Sequence, residues 1–335
     1  MNKAKYQINS EIKDQLKGFK TYLQEIGNSG NTICQKLNYV GFFLNWIENE
    51  RLKPEDTRYN DLLSFIDYCK LGADSKKLIN RKLLSIRNFY EYLKKENQSI
   101  INPAANLHLK GEPRKIISGT IDFKELENLY QSYPPNIATD CRWILFEKNE
   151  GLRKKRNKVI LGLLIYQGVT TEELQQLEPS HLKLKEGKIY IPGNRRRNSR
   201  TLELNPFQIL ELHEYINETR PAIIKQIGTA TPTKKPYKIN NKAIEKQLFI
   251  SMNGSENIKV GLFHMFKGIK KINPNIINAQ QIRQSAITYW LKTNNLRQVQ
   301  YFAGHKYVSS TERYQMNNLD SLKDKLEKCH PLNKV

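Results

Sequence analysis

The chain has 335 residues, a length that suits two domains better than one. With 39% hydrophobic residues it has enough apolar surface to build cores, which argues against wholesale disorder. Lysine and arginine outnumber aspartate and glutamate by 55 to 33, a formal charge of +22 at pH 7, so nucleic acid is the expected partner ahead of a merely lysine-rich soluble protein. Cys34, Cys69, Cys141 and Cys329 share no paired spacing, which speaks against a zinc site or a disulfide framework and fits a reducing cytoplasm. The polar N-terminus does not read as a signal peptide. No apolar run approaches the roughly 18 residues of a membrane span, and no segment reads as a lipid-binding helix.

Residues 9–98 read as four amphipathic helices. Ile12, Leu16, Phe19, Leu23 and Ile26 recur at helical spacing in the first. Asn31 and Thr32 are candidate caps for the second, which carries Leu37, Val40, Phe43, Leu44 and Ile47. A third follows Pro54 through Leu62, Leu63, Phe65 and Ile66, and a fourth runs from Leu78 to Leu93. Such helices with short polar connections predict a compact bundle.

Between Asn102 and Gly119 prolines, glycines and basic residues interrupt the apolar period, and the stretch reads as an interdomain linker. Helices resume at Ile121, with one β interlude. Lys188 to Ile191 and Thr201 to Leu204 alternate on either side of PGNRRRNS, which predicts a hairpin with a basic tip. The expected fold is mainly α with a small antiparallel β-sheet, divided into an N-terminal helical domain over 1–101, a linker over 102–119 and a second domain over 120–335.

The chemistry concentrates near the end of the chain: Gln280-Gln281-Ile282-Arg283, then Ala303-Gly304-His305, then Thr311-Glu312-Arg313-Tyr314. Taken singly, these read as a surface arginine, a loop histidine and a core tyrosine. Their order and spacing resemble the C-terminal signature of the tyrosine recombinase (phage integrase, lambda-integrase-like) family. The resemblance extends over nearly the whole chain. The N-terminal bundle, closed by Asn102-Pro103, is similar to the family's core-binding domain, and Leu164 to Leu174 to its first catalytic box. The hairpin 188–204 lies where the family places its catalytic hairpin, and 120–335 corresponds to the catalytic domain.

The resemblance implies a site-specific recombinase whose Tyr314 attacks a DNA phosphodiester, leaving a 3′-phosphotyrosyl bond and a free 5′-hydroxyl. Arg283 matches the second catalytic arginine, His305 the Gly-His position, and Glu173 the acidic residue that braces the catalytic groups. Arginine suits this role because its planar fork stays charged and donates two hydrogen bonds to non-bridging oxygens. Neither a metal nor a nucleotide cofactor is implied, because the covalent link conserves the phosphodiester's energy.

Three positions depart from the family pattern. Thr170 stands where the first catalytic arginine belongs, with a hydroxyl to donate but no charge. Gln280 stands where a histidine is usual and cannot act as a base. The hairpin lysine, the family's general acid, has no evident counterpart; Arg195, Arg196 and Arg197 occupy the tip. One of these arginines is expected to supply the charge missing at Thr170, ahead of Arg153 or Arg156.

A clamp around double-stranded DNA implies basic faces: Lys76, Lys77, Arg81, Lys82 and Arg87 on the fourth helix, Lys110, Arg114 and Lys115 in the linker, and Arg153, Lys154, Lys155 and Arg156 in the second domain. As a group they supply phosphate contacts and salt dependence, not sequence reading. Leu319, Leu322 and Leu326 have helical spacing; the family docks such a tail on a neighbouring protomer, which implies a homo-oligomer on DNA. The expected setting is the bacterial cytoplasm. A second reading is a DNA-binding accessory protein with the recombinase fold and weakened catalysis, favoured by Thr170, Gln280 and the missing lysine. RNA binding is weaker, for want of the aromatic-basic motif of an RNA-binding sheet.

Overall fold

A computed structural model describes residues 10–98, 100–111, 117, 119–133, 144–229 and 241–315. The chain separates into two compact units, residues 1–115 and 116–335.

The first unit holds α1 (Ser10–Glu25), α2 (Gly30–Asn49), α3 (Tyr59–Leu71) and α4 (Lys76–Glu96). The apolar faces read from the sequence meet in one core, where Phe19 packs edge-on against Phe89 and Phe43 against Phe65. The second helix starts earlier than the sequence indicated: Ser29, not Asn31 or Thr32, is the cap, accepting from Thr32 N–H. Ser75 caps α4 in the same way, accepting from Leu78 N–H.

The first half of the expected linker belongs to this unit instead. Ala104 and Leu107 are buried in its core, and Arg87 donates to Ala104 O at 2.9 Å and Leu107 O at 3.2 Å. Asn80 pairs with the backbone of Leu109 in both directions. Prolines and glycines broke the helical period here, but short side-chain bonds to backbone fix a segment as firmly as a helix does.

In the second unit α5 (Phe123–Ser132) and α6 (Ile144–Tyr166) lead to the short α7 (Thr171–Gln176). An antiparallel sheet follows, β1 (Leu182–Lys183), β2 (Lys188–Ile191) and β3 (Arg200–Glu203), in the order β1-β2-β3. The hairpin is as expected, with β3 one residue earlier and β1 an addition too short to show an alternating pattern. Helices α8 (Pro206–Glu214), α9 (Arg220–Thr229), α10 (Asn241–Lys246), α11 (Lys259–Ile272), α12 (Ala279–Thr293) and α13 (Leu296–Ala303) follow, and residues 309–315 are again helical.

The buried helix α6 supplies Ile160, Leu161, Leu163, Leu164 and Ile165 to the main core, and the inward positions Ile189, Ile191 and Leu202 of the sheet join them. The fold class is mainly α with a small antiparallel sheet. No helix among the described residues is long and apolar enough to cross a membrane. The tail with Leu319, Leu322 and Leu326 lies outside the described residues, as do Arg114 and Lys115.

Candidate active site

Arg283, His305 and Tyr314 line one open cleft of about 390 Å³, together with Arg196, Arg197, Gln280, Lys306, Tyr307, Ser309, Ser310 and Arg313. Three pieces of chain bring them together: the N-terminal half of α12, the turn after α13 with the helix 309–315, and the hairpin tip.

Asn278 caps α12 by accepting from Gln281 N–H, which sets Gln280 and Arg283 on its first turns. Arg283 is 3% exposed. One of its terminal nitrogens donates to Gly168 O and the other to Ala303 O, so the guanidinium is fixed before any ligand arrives. Burial lowers its pKa to about 10, against the opposing pull of Glu173, which leaves it charged at neutral pH.

Both carbonyls depend on glycine. Gly168 has φ +55°, and a Cβ there would meet Trp290 at 2.8 Å. Gly304, with φ +64°, ends α13; a Cβ on it would lie 2.5 Å from the guanidinium of Arg200. The Gly-His pair is therefore a left-handed helix end pressed against a buried arginine.

His305 follows at once. Its Nδ1 lies 2.8 Å from the Thr311 hydroxyl, and its ring stacks on Tyr314 at 5.9 Å between centroids. Burial first, then the charges of Arg283, Arg197 and Arg200, lower its pKa to about 3, so it is neutral at physiological pH. Tyr314 is 4% exposed and packs with Ile117, Ile287, Val299 and Ala303. Burial raises its pKa against the opposing charges of Arg283, Arg313 and Arg197.

Behind the cleft lies a second layer of charge. Glu173 is wholly buried and pairs with Arg200 through Nη1–Oε1 at 2.7 Å and Nη2–Oε2 at 3.2 Å; Arg283 is 4.0 Å away. Burial pushes the Glu173 carboxyl up, but Arg200, Arg283 and the Thr170 N–H outweigh it and hold it at about 2. Sequence reasoning missed Arg200, although the signal was present. Leu202 and Leu204 face inward, so a two-residue period turns Arg200 inward too, and an inward arginine needs buried acceptors, of which a carboxylate such as Glu173 also answers the charge.

Thr170 is a correction. It is buried, caps α7 in a reciprocal box with Glu173, and does not line the cleft. Its hydroxyl donates to Glu173 Oε2 at 3.0 Å and accepts from Arg197 Nη1 at 3.2 Å, so its proton is not free for a phosphate. The hairpin tip thus points one arginine at this position. Asn194 Oδ1 accepts from the N–H groups of Arg196 and Arg197 and tightens the turn, while Asn198 N–H donates to Gly304 O at 3.0 Å and ties the tip to the histidine segment. Arg196 also lines the cleft; Arg195 is exposed and does not line it.

Several expected DNA contacts are absorbed by the fold. Lys82 is buried, 2.6 Å from Asp74 and over the ring of Phe42. Arg156 is 1% exposed and donates to Ile250 O and Asn157 Oδ1. Arg87 staples residues 104–107, Arg153 and Lys154 face Glu150, and Lys155 pairs with Glu214. Lys76, Lys77, Arg81 and Lys110 are exposed.

The chain resembles known proteins over most of its length. Residues 140–320, more than half of the chain, match the Phage integrase family. The tyrosine recombinase XerC of Oceanobacillus iheyensis is 23% identical over 318 residues, covering 93% of this chain and 94% of its own. The tyrosine recombinase XerD of Chlorobaculum tepidum is 24% identical over 327 residues, covering 94% and 96%. Among solved structures, XerH site-specific recombinase bound to difH substrate superposes with a TM-score of 0.64 at 17% identity, over 90% of this chain and 91% of that one. The Tn1549 transposon integrase in complex with a circular intermediate DNA gives 0.61 at 15% identity, over 90% and 94%. The chain belongs to the phage integrase family of tyrosine recombinases.

Proposed function

We propose that this chain cleaves and rejoins double-stranded DNA through a 3′-phosphotyrosyl link at Tyr314, with no metal or nucleotide consumed. The observation that carries the reading is the convergence of Arg283, Arg197, His305 and Tyr314 on one cleft of about 390 Å³. Tyr314 Oη attacks phosphorus and the P–O5′ bond breaks. Arg283 and Arg197 stabilise the charge gathering on the non-bridging oxygens, Arg197 standing in for the arginine that Thr170 replaces. His305 is neutral and adds a hydrogen bond, and Glu173 holds the arginines from behind.

The DNA partner rests on the +22 charge, on the exposed Lys76, Lys77, Arg81 and Lys110, and on the circular intermediate DNA named for the Tn1549 integrase structure. The first unit takes the role of core-binding domain, the second that of catalytic domain, and the protein works as a homo-oligomer on its site. A second reading, a DNA-binding accessory protein with weakened catalysis, is favoured by one observation: Tyr314 is stowed at 4% exposure against His305.

The test uses duplexes that the protein selects from a random-sequence pool, nicked near the bound centre so that cleavage cannot reverse. A covalent adduct on the Tyr314 peptide, lost in Tyr314→Phe, supports the recombinase; tight binding with no adduct supports the accessory reading.

A further inference from the structure

Breaking the P–O5′ bond leaves an alkoxide that needs a proton, and the hairpin tip offers only guanidinium groups. A guanidinium is a weaker acid than an alkylammonium by roughly two powers of ten or more, and a poor donor at this step. Gln280 is an amide. His305 carries no spare proton at neutral pH, because burial and three arginines keep its ring neutral. Tyr314 is committed as nucleophile.

One ammonium group lines the cleft among the described residues: Lys306, which follows His305 directly and is exposed. No described carboxylate lies within ion-pair distance of it. Its backbone is firmly placed, because His305 N–H donates to Gln300 O, Gln300 Nε2 donates to His305 O, and Asn198 N–H donates to Gly304 O. The lysine is thus carried on the same rigid turn that positions His305, which pairs with Arg197 of the hairpin tip in an antiparallel bridge.

Resting on the recombinase reading above, we propose that Lys306 is the general acid for the leaving strand. As the Tyr314 Oη–P bond forms and the P–O5′ bond breaks, Lys306 Nζ–H gives its proton to O5′, and the phenolic proton passes to solvent in the open cleft. In rejoining, the neutral amine takes the proton back from the 5′-hydroxyl as that oxygen attacks phosphorus and the tyrosine leaves. General acid catalysis of this kind is worth about a hundred- to ten-thousandfold.

Replacing the bridging 5′-oxygen by sulfur separates this role from a structural one, since a thiolate departs without a proton. The pool-selected duplex, with one 5′-bridging sulfur at the mapped cleavage phosphate, is compared with its oxygen counterpart using the full chain. Lys306→Met is expected to lose at least about a hundredfold on oxygen and to return within about tenfold of the unaltered protein on sulfur. Equal losses on both substrates, or no loss on oxygen, would overturn the assignment. So would sulfur rescue of Tyr307→Phe in place of Lys306→Met, which would give the role to the neighbouring phenol. If the unaltered protein cleaves neither substrate, the recombinase reading itself fails, and the assignment with it.

Discussion

Two basic stretches of the second unit, residues 153–158 on α6 and residues 195–197 at the hairpin tip, look alike in sequence and end in different situations. On α6 the charges are answered internally. Glu150 faces Arg153 and Lys154, Glu214 takes Lys155, Glu211 takes Lys158, and Arg156 is buried on backbone and side-chain carbonyls. At the hairpin, among the described residues, only Arg197 has a carboxylate within reach, Glu172 at 3.7 Å, and Arg196 and Arg197 face the cleft. The density of positive charge is similar; what differs is the supply of carboxylates one helical turn or one neighbouring helix away. A basic run is therefore a site only where the fold leaves its charge unanswered.

Substitutions put that contrast to the test. The largest effect is expected behind the hairpin, where Glu173 is fully buried beneath Arg200 and Arg283. Glu173→Ala leaves two guanidinium groups without their carboxylate and should destabilise the unit by about 3–5 kcal/mol, read by urea unfolding. Next comes Arg197→Gln, which removes one preorganised donor and should slow adduct formation about a hundred- to a thousandfold while duplex binding persists. Arg195→Gln, one residue outside the cleft, should change the rate by less than about threefold; a large loss there would erase the distinction drawn within the tip.

A smaller effect separates the α6 run from α4. Lys77→Gln should lower the slope of log affinity against log salt by about 0.9, the signature of one lost phosphate contact. Arg153→Gln, already facing Glu150, should leave that slope unchanged. Equal slopes for both variants would mean that α6 carries its charge to the DNA after all.

How much of this was legible in the sequence follows from the range of each signal. The helices of the first unit and the hairpin announce themselves through local apolar periods. The Arg283, His305 and Tyr314 set was legible because its spacing is read directly along the chain, and the three side chains line one cleft. What escaped depends on contacts between distant segments: Arg200 on Glu173, Arg156 on Ile250, Lys82 on Asp74, residues 104–109 on α4. Lys82 and Arg87 sit on the same helix as Lys77, and no period tells which basic residues a neighbouring strand or loop will claim. Thr170 shows the same limit, since its hydroxyl is spent on Glu173 and on an arginine 27 positions later.

The least visible effect at neutral pH concerns His305, yet it reports on how strongly the arginines crowd the cleft. In the folded protein its pKa lies near 3, below the ordinary 6.5, with burial the first cause and Arg283, Arg197 and Arg200 adding to it. Between those values the unfolded chain takes up a proton that the folded unit refuses. Stability therefore falls as pH drops from about 6.5 towards 3 and is flat, for this group, above 6.5. Glu173 adds to the fall in a lower window, between 4.5 and about 2, where the unfolded carboxyl protonates and the folded one stays charged. His305→Gln, which keeps a side chain able to bond Thr311, should remove the upper part of the fall and leave the lower. Amide hydrogen exchange of α12 and α13 at pH 7 and pH 5 measures it. Parallel losses in variant and unaltered protein would show that the imidazole takes a proton in the folded state too, and that the charges around it are better screened than their spacing implies.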